Sequence, residues 1–120
     1  MTPVLVLPWP DRELHPNARP HWAVKARAAK NARHQAYMLA LAAGWRKMQL
    51  PATGRLRLCL DFYPRSRRRM DDDGLMAAFK ASRDGIADLL GIDDSRFFTN
   101  ICLHEYDPAL AGQVHVRVEP

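Results

Sequence analysis

The stretch RLRLCLDFYPRSRRRMDDDGLMAAFKASRDGIADLLGIDDS, residues 55–95, decides the fold. In its first nine residues Leu56, Leu58, Leu60 and Phe62 alternate with Arg57, Cys59, Asp61 and Tyr63. Successive strand side chains point to opposite faces, so this is a strand with one strongly buried face. Pro64 ends it, because proline cannot donate to a sheet ladder. From about Gly74 to Leu90 the period becomes helical. Leu75, Phe79, Ser82, Ile86, Leu89 and Leu90 fall in one narrow arc, with Asp73, Lys80, Asp84 and Asp88 opposite. Gly91 is the stop.

Toward the N-terminus, Val4 to Leu7 reads as a short strand closed by Pro8-Trp9-Pro10, and residues 11–20 as a loop rich in turn formers. A second helix runs from near Pro20 or His21 to about Ala43, stopped by Gly44. It carries Ala28, Ala32, Ala36, Leu39 and Ala43 on one face, small enough for close packing on a sheet. Arg27, Lys30, Asn31 and His34 share the other, which is either a phosphate-contacting surface or a solvated one. Beyond the decisive stretch, Arg96–Tyr106 and Gln113–Val118 are strand-like, joined by a turn around Asp107-Pro108 and Gly112, and are expected to form a C-terminal hairpin. The order β-α-β-α-β-β predicts a compact α+β fold, one domain over residues 1–120 with two helices packed on a mixed sheet.

Composition excludes some classes. No run of about 18 apolar residues exists, so no membrane span is expected. The first residues lack a basic region and a signal-peptide apolar stretch. Cys59 and Cys102 lie in strand-like runs without metal-ligand spacing, and both are expected as reduced core thiols in a cytoplasmic protein. The five histidines show no zinc spacing, and Trp9, Trp22 and Trp45 are expected to anchor the core. Net charge is +5, unevenly spread: residues 1–70 carry 14 Lys/Arg against 3 Asp/Glu, residues 71–120 carry 4 against 10. A basic half with a focused acidic spot suits a polyanionic partner and a cation-holding site.

That acidic spot lies directly after Arg65, Arg67, Arg68 and Arg69. Asp71 and Asp73 stand at a strand-to-helix junction, where free N–H groups favour negative charge. A D-x-D pair offers two carboxylates to one hard cation; the plainer reading is a helix cap with spare acids.

Leu-Pro-Trp-Pro at 7–10, Asn17, Arg-Met-Asp-Asp-Asp-Gly-Leu at 69–75 and Leu-Gly-Ile-Asp-Asp-Ser at 90–95 together resemble the RusA family of Holliday-junction resolvases. Pro-Asn-Ala-Arg-Pro-His-Trp at 16–22 and Arg-Asp-Gly-Ile-Ala-Asp at 83–88 are similar to its phage and prophage branch. The resemblance covers nearly the whole chain. It implies a RusA-like fold and a Mg²⁺-dependent homodimeric endonuclease, with Mn²⁺ able to substitute, that makes paired nicks in four-way junction DNA. The family's catalytic, metal-holding aspartates fall on Asp71, Asp73 and Asp94. Glycine at 74 replaces the family's asparagine. The family's lysine would fall at Met76 or Ala77, and Lys80, seven residues after Asp73 and on its face, is the substitute. Arg65, Arg67, Arg68, Arg69, Asn17, Arg19, Arg27 and Lys30 are the candidate nucleic-acid contacts. The alternatives are a DNA-binding relative whose site has decayed at Gly74, or another D-x-D metal-dependent phosphoesterase.

An unbroken helix over 74–90 would be about 25 Å long, placing Asp94 far from Asp71 and Asp73 of its own chain. Either the helix breaks near Gly85, or a two-fold partner supplies Asp94 to a shared site.

Overall fold

Four strands form one sheet whose order departs from their order in the chain. The computed structural model describes residues 3–16, 18–19, 21–67 and 72–120, the side chains of Asp72 and Asp73 excepted. The strands are Leu5–Pro8 (β1), Leu56–Tyr63 (β2), Phe97–Leu103 (β3) and Gln113–Glu119 (β4). The helices are Trp22–Ala42 (α1) and Asp72–Leu90 (α2). The sheet order is β1-β4-β2-β3. β4 runs antiparallel to both β1 and β2, whereas β2 and β3 are parallel, in register from Leu56 with Phe97 to Phe62 with Leu103. The α+β class, the element order and the mixed sheet are as the sequence predicts.

The expected C-terminal hairpin is not formed, because β2 lies between β3 and β4. The physical reason is burial: Leu56, Leu58, Leu60 and Phe62 are at most 1% exposed, and the strand bearing them takes a central place with partners on both edges. Residues 104–112 carry the chain over its end, tied there by the His104 amide donating to the Phe62 carbonyl and the Gly112 amide to the Tyr63 carbonyl.

Both helices cover one face of the sheet. Their buried residues Ala36, Ala40, Leu75, Phe79, Ile86 and Leu89 share a core with Leu5, Leu7, the β2 leucines and Val114, Val116 and Val118. The alanine face of α1 lets α2 approach closely, and at Gly85 a β-carbon would overlap the backbone carbonyl of Arg33. α2 runs unbroken through Gly85, so the first alternative for Asp94 falls away. Trp45, in a short 3-10 turn after α1, is fully buried. Truncating such a side chain to alanine costs about 3–5 kcal/mol.

Two further expectations need correction. Trp22 does not anchor the core: it is the first residue of α1 and 76% exposed. Cys102 is exposed, while Cys59 is buried. β3 is an edge strand, and alternation points Cys102 to the sheet face that the helices leave open.

Candidate functional site

The end of α2 sets the geometry. Gly91 adopts φ 70°, with its amide bonded to the Asp88 carbonyl and the Ile92 amide to the Ala87 carbonyl, the paired bonds of a Schellman stop. The chain therefore reverses, and Asp93 and Asp94 return alongside the last turns of α2. Asp93 is committed to the turn: its carboxylate accepts from the Ser95 amide at 2.9 Å. That bond, with help from the Ser95 hydroxyl, holds its pKa below the ordinary carboxylate value. Asp94 is anchored through its backbone instead, its carbonyl accepting from Arg83 at 2.9 Å. Its side chain is left to face Lys80, with Nζ to Oδ2 at 3.9 Å.

Lys80 also lies 3.4 Å from Asp84, one turn along the helix. Arg33 of α1 makes a bidentate pair with Asp88, Nε to Oδ2 at 2.7 Å and Nη2 to Oδ1 at 3.0 Å. That hydrogen bond, then the Asp88 charge, raises the guanidinium's pKa further. These groups line an open cleft of about 330 Å³ whose wall holds Asp84, Asp88, Asp93 and Asp94 against Arg33 and Lys80. Four carboxylates and two cations leave this wall with an excess of negative charge.

Lys80 and Asp94, predicted from opposite ends of a motif, are thus side by side. Asp73 lies in α2, but its side chain, all of Asp71, and Asn17, Arg68 and Arg69 fall outside the described residues. Of the predicted nucleic-acid contacts, Arg19, Arg27 and Lys30 are exposed, Lys30 one turn before Arg33 on α1. Arg67 is exposed over the Tyr106 ring at 5.3 Å. Arg65 lines a separate cleft of about 360 Å³ with Trp9, Asn31, Gln35 and Ser82.

Two features were missed in the sequence. His15 packs its imidazole against the first turn of α2, in the space a side chain at Gly74 would need. The glycine at position 74 was its only trace in the sequence. On the open sheet face, Asp61, Cys102 and His104 bring one ligand atom each within 4.8 Å of one another. The signal was Cys102-x-His104, two residues on one strand face, but Asp61 joins them only through the β2–β3 register.

No helix among the described residues is long and apolar enough to cross a membrane. No family profile matches the chain. The chain is 47% identical over 114 residues, 95% of its own length and 74% of the relative's, to a protein of Xylella fastidiosa (strain Temecula1 / ATCC 700964) described as uncharacterized. At that identity and coverage, the chain belongs to the same protein family as the Xylella protein.

Proposed function

We propose that this protein is a Mg²⁺-dependent, structure-selective endodeoxyribonuclease of the RusA type, a homodimer that makes paired nicks in four-way junction DNA. The observation that carries the reading is the ammonium of Lys80 beside the carboxylate of Asp94 at an acidic cleft, on the helix that follows Asp71 in the sequence and includes Asp73. Those three aspartates offer only oxygen donors, which fits Mg²⁺, or Mn²⁺ in its place. Held there, the ion supplies Lewis acidity and a bound water of lowered pKa.

The chain's own residues do the rest. Lys80 neutralises charge growing on a non-bridging or leaving oxygen. Arg65 and Arg67, with Arg68 and Arg69, grip flanking phosphates, while Asn17, Arg19, Arg27 and Lys30 extend the basic track. Lys80 lies seven residues beyond Asp73, about 10 Å along the helix axis. Carboxylates sharing one ion stand within about 4–5 Å of each other. In this reading Asp94 beside Lys80 serves the D-x-D pair of a two-fold partner, and the two symmetric sites give paired nicks.

The test is incubation with a labelled four-way junction and a matched duplex, in Mg²⁺ or EDTA. Paired nicks confined to the junction and to Mg²⁺ are expected. Tight Mg²⁺-independent junction binding without nicks would make it a binding protein, and inertness toward both DNAs would overturn the reading.

A further inference from the structure

We propose that Asp61, Cys102 and His104 form a second metal site, for a borderline or soft divalent ion of the Zn²⁺ class, on the sheet face the helices leave open. The ladder holds the three in place. Asp61 and Cys102 are direct partners across the parallel β2–β3 pair. His104 follows two residues later, so it rises from the same face, and its amide bond to the Phe62 carbonyl, 3.0 Å, carries the strand pairing one step further. The three ligand atoms lie within 4.8 Å of one another. Tetrahedral bonds of about 2.0–2.3 Å place ligands roughly 3.5 Å apart, so closing the site takes about 1 Å of side-chain rotation. Cys102 is exposed and free to make it.

The surroundings suit a ligand set. The Tyr63 ring stacks on the His104 imidazole at 4.5 Å with an interplanar angle of 10°, which limits ring rotation. The Asp61 carboxylate is divided: Oδ1 meets His104 Nε2 at 2.8 Å, and Oδ2 faces Arg117 at 3.9 Å. An ion bound at Oδ1 replaces the His104 contact, while Arg117 balances the outer oxygen, as outer-shell partners of ligating carboxylates do. Binding releases the Cys102 thiol proton to solvent and moves the imidazole proton to Nδ1, leaving Nε2 as donor atom. Thiolate and imidazole donors select Zn²⁺ or Co²⁺ over Mg²⁺, and a three-residue set leaves a fourth position for water or a further ligand. The site lies across the sheet from α2, so it does not depend on the nuclease reading.

The experiment is a Co²⁺ titration of the whole protein with excess Mg²⁺ present to occupy the carboxylate cleft. A cobalt–thiolate charge-transfer band that saturates at equimolar Co²⁺ and is bleached by Zn²⁺ is expected. Cys102→Ser should abolish the band and Cys59→Ser should keep it. His104→Ala and Asp61→Asn should each weaken Co²⁺ binding at least about tenfold, as loss of a ligand does. In the unmodified protein, Zn²⁺ should slow alkylation of Cys102, a readout independent of how the variants fold. No band, a band surviving Cys102→Ser, full affinity in His104→Ala or Asp61→Asn, or Cys102 alkylation indifferent to Zn²⁺ would overturn the proposal.

Discussion

The backbone carbonyl of Arg33 on α1 occupies the space into which a β-carbon on Gly85 of α2 would project. The same residue's guanidinium closes a bidentate pair on Asp88, less than one turn further along α2. Backbone and side chain of Arg33 together fix how the helices meet. Gly85→Ala would normally gain close to 1 kcal/mol of helix propensity, yet here it forces two backbones apart. A net loss on the order of 2 kcal/mol is expected, read as a lowered urea midpoint with an unchanged slope.

A second close approach sits at the other end of α2. Gly74→Asn drives a side chain into the His15 imidazole and should cost about 1–3 kcal/mol. Adding His15→Ala should recover most of that loss in thermal unfolding. Additive losses in the double variant would show that the two positions do not share this space.

Lys80 and Asp94 bear on the nuclease proposal directly. Lys80→Ala and Asp94→Asn should each lower junction cleavage by about 10²–10³, the effect of losing one charge-stabilising group, with folding intact because both side chains are exposed enough to be replaced. Mixed dimers of Asp73→Asn and Asp94→Asn subunits then separate shared from self-contained sites. Shared sites leave one complete constellation per heterodimer and single-strand nicks; self-contained sites leave none.

The two thiols should differ in reactivity. Burial raises the pKa of Cys59, so its thiolate is scarcer as well as enclosed, whereas Cys102 is exposed. Without added metal, limited alkylation near pH 8 followed by peptide mass spectrometry should mark Cys102 first. Equal labelling would contradict the burial of Cys59.

Asp93 supplies the pH dependence. Its folded pKa is depressed, so its bond to the Ser95 amide stabilises the fold above the ordinary carboxylate pKa of about 4. That contribution disappears as pH falls through the lower folded value. Asp93→Ala should be less stable than the parent at pH 7, and the gap should narrow on acidification. A constant gap would mean the Asp93 charge is irrelevant to the turn.

Periodicity reads faces, and on faces the sequence was legible. The β2 leucines, Leu75, Phe79, Ile86 and Leu89 of α2, and Ala28 and Ala36 of α1 are buried where the 2.0 and 3.6 repeats place them, while Ala32, Leu39, Ala43, Ser82 and Leu90 are half-buried. Pairing partners are another matter, since a strand's alternation is the same whichever neighbour it meets. The hairpin expectation for β3 and β4 failed for that reason, and the Asp61–Cys102–His104 grouping was invisible for the same one. Lys80 is a candidate through the RusA resemblance and its helical spacing from Asp73, but its contact with Asp94 needs the reversal at Gly91. Cys102 and Trp22 were misread because residue type was taken for position. An edge strand has one wet face, and a helix's first residue has no preceding turn to hide behind.

The placement of β4 inside the sheet has a consequence for synthesis. Among the described residues β4 is the only sheet neighbour of β1, and its Val114, Val116 and Val118 are fully buried. A nascent chain that has reached residue 112 holds both helices and the β2–β3 pair, yet Leu5 and Leu7 have no strand to join. The sheet can be assembled only after residues 113–119 leave the ribosome and insert between two strands made long before. A copy that ends before residue 113 would leave Leu5, Leu7 and one edge of β2 without the strand that covers them.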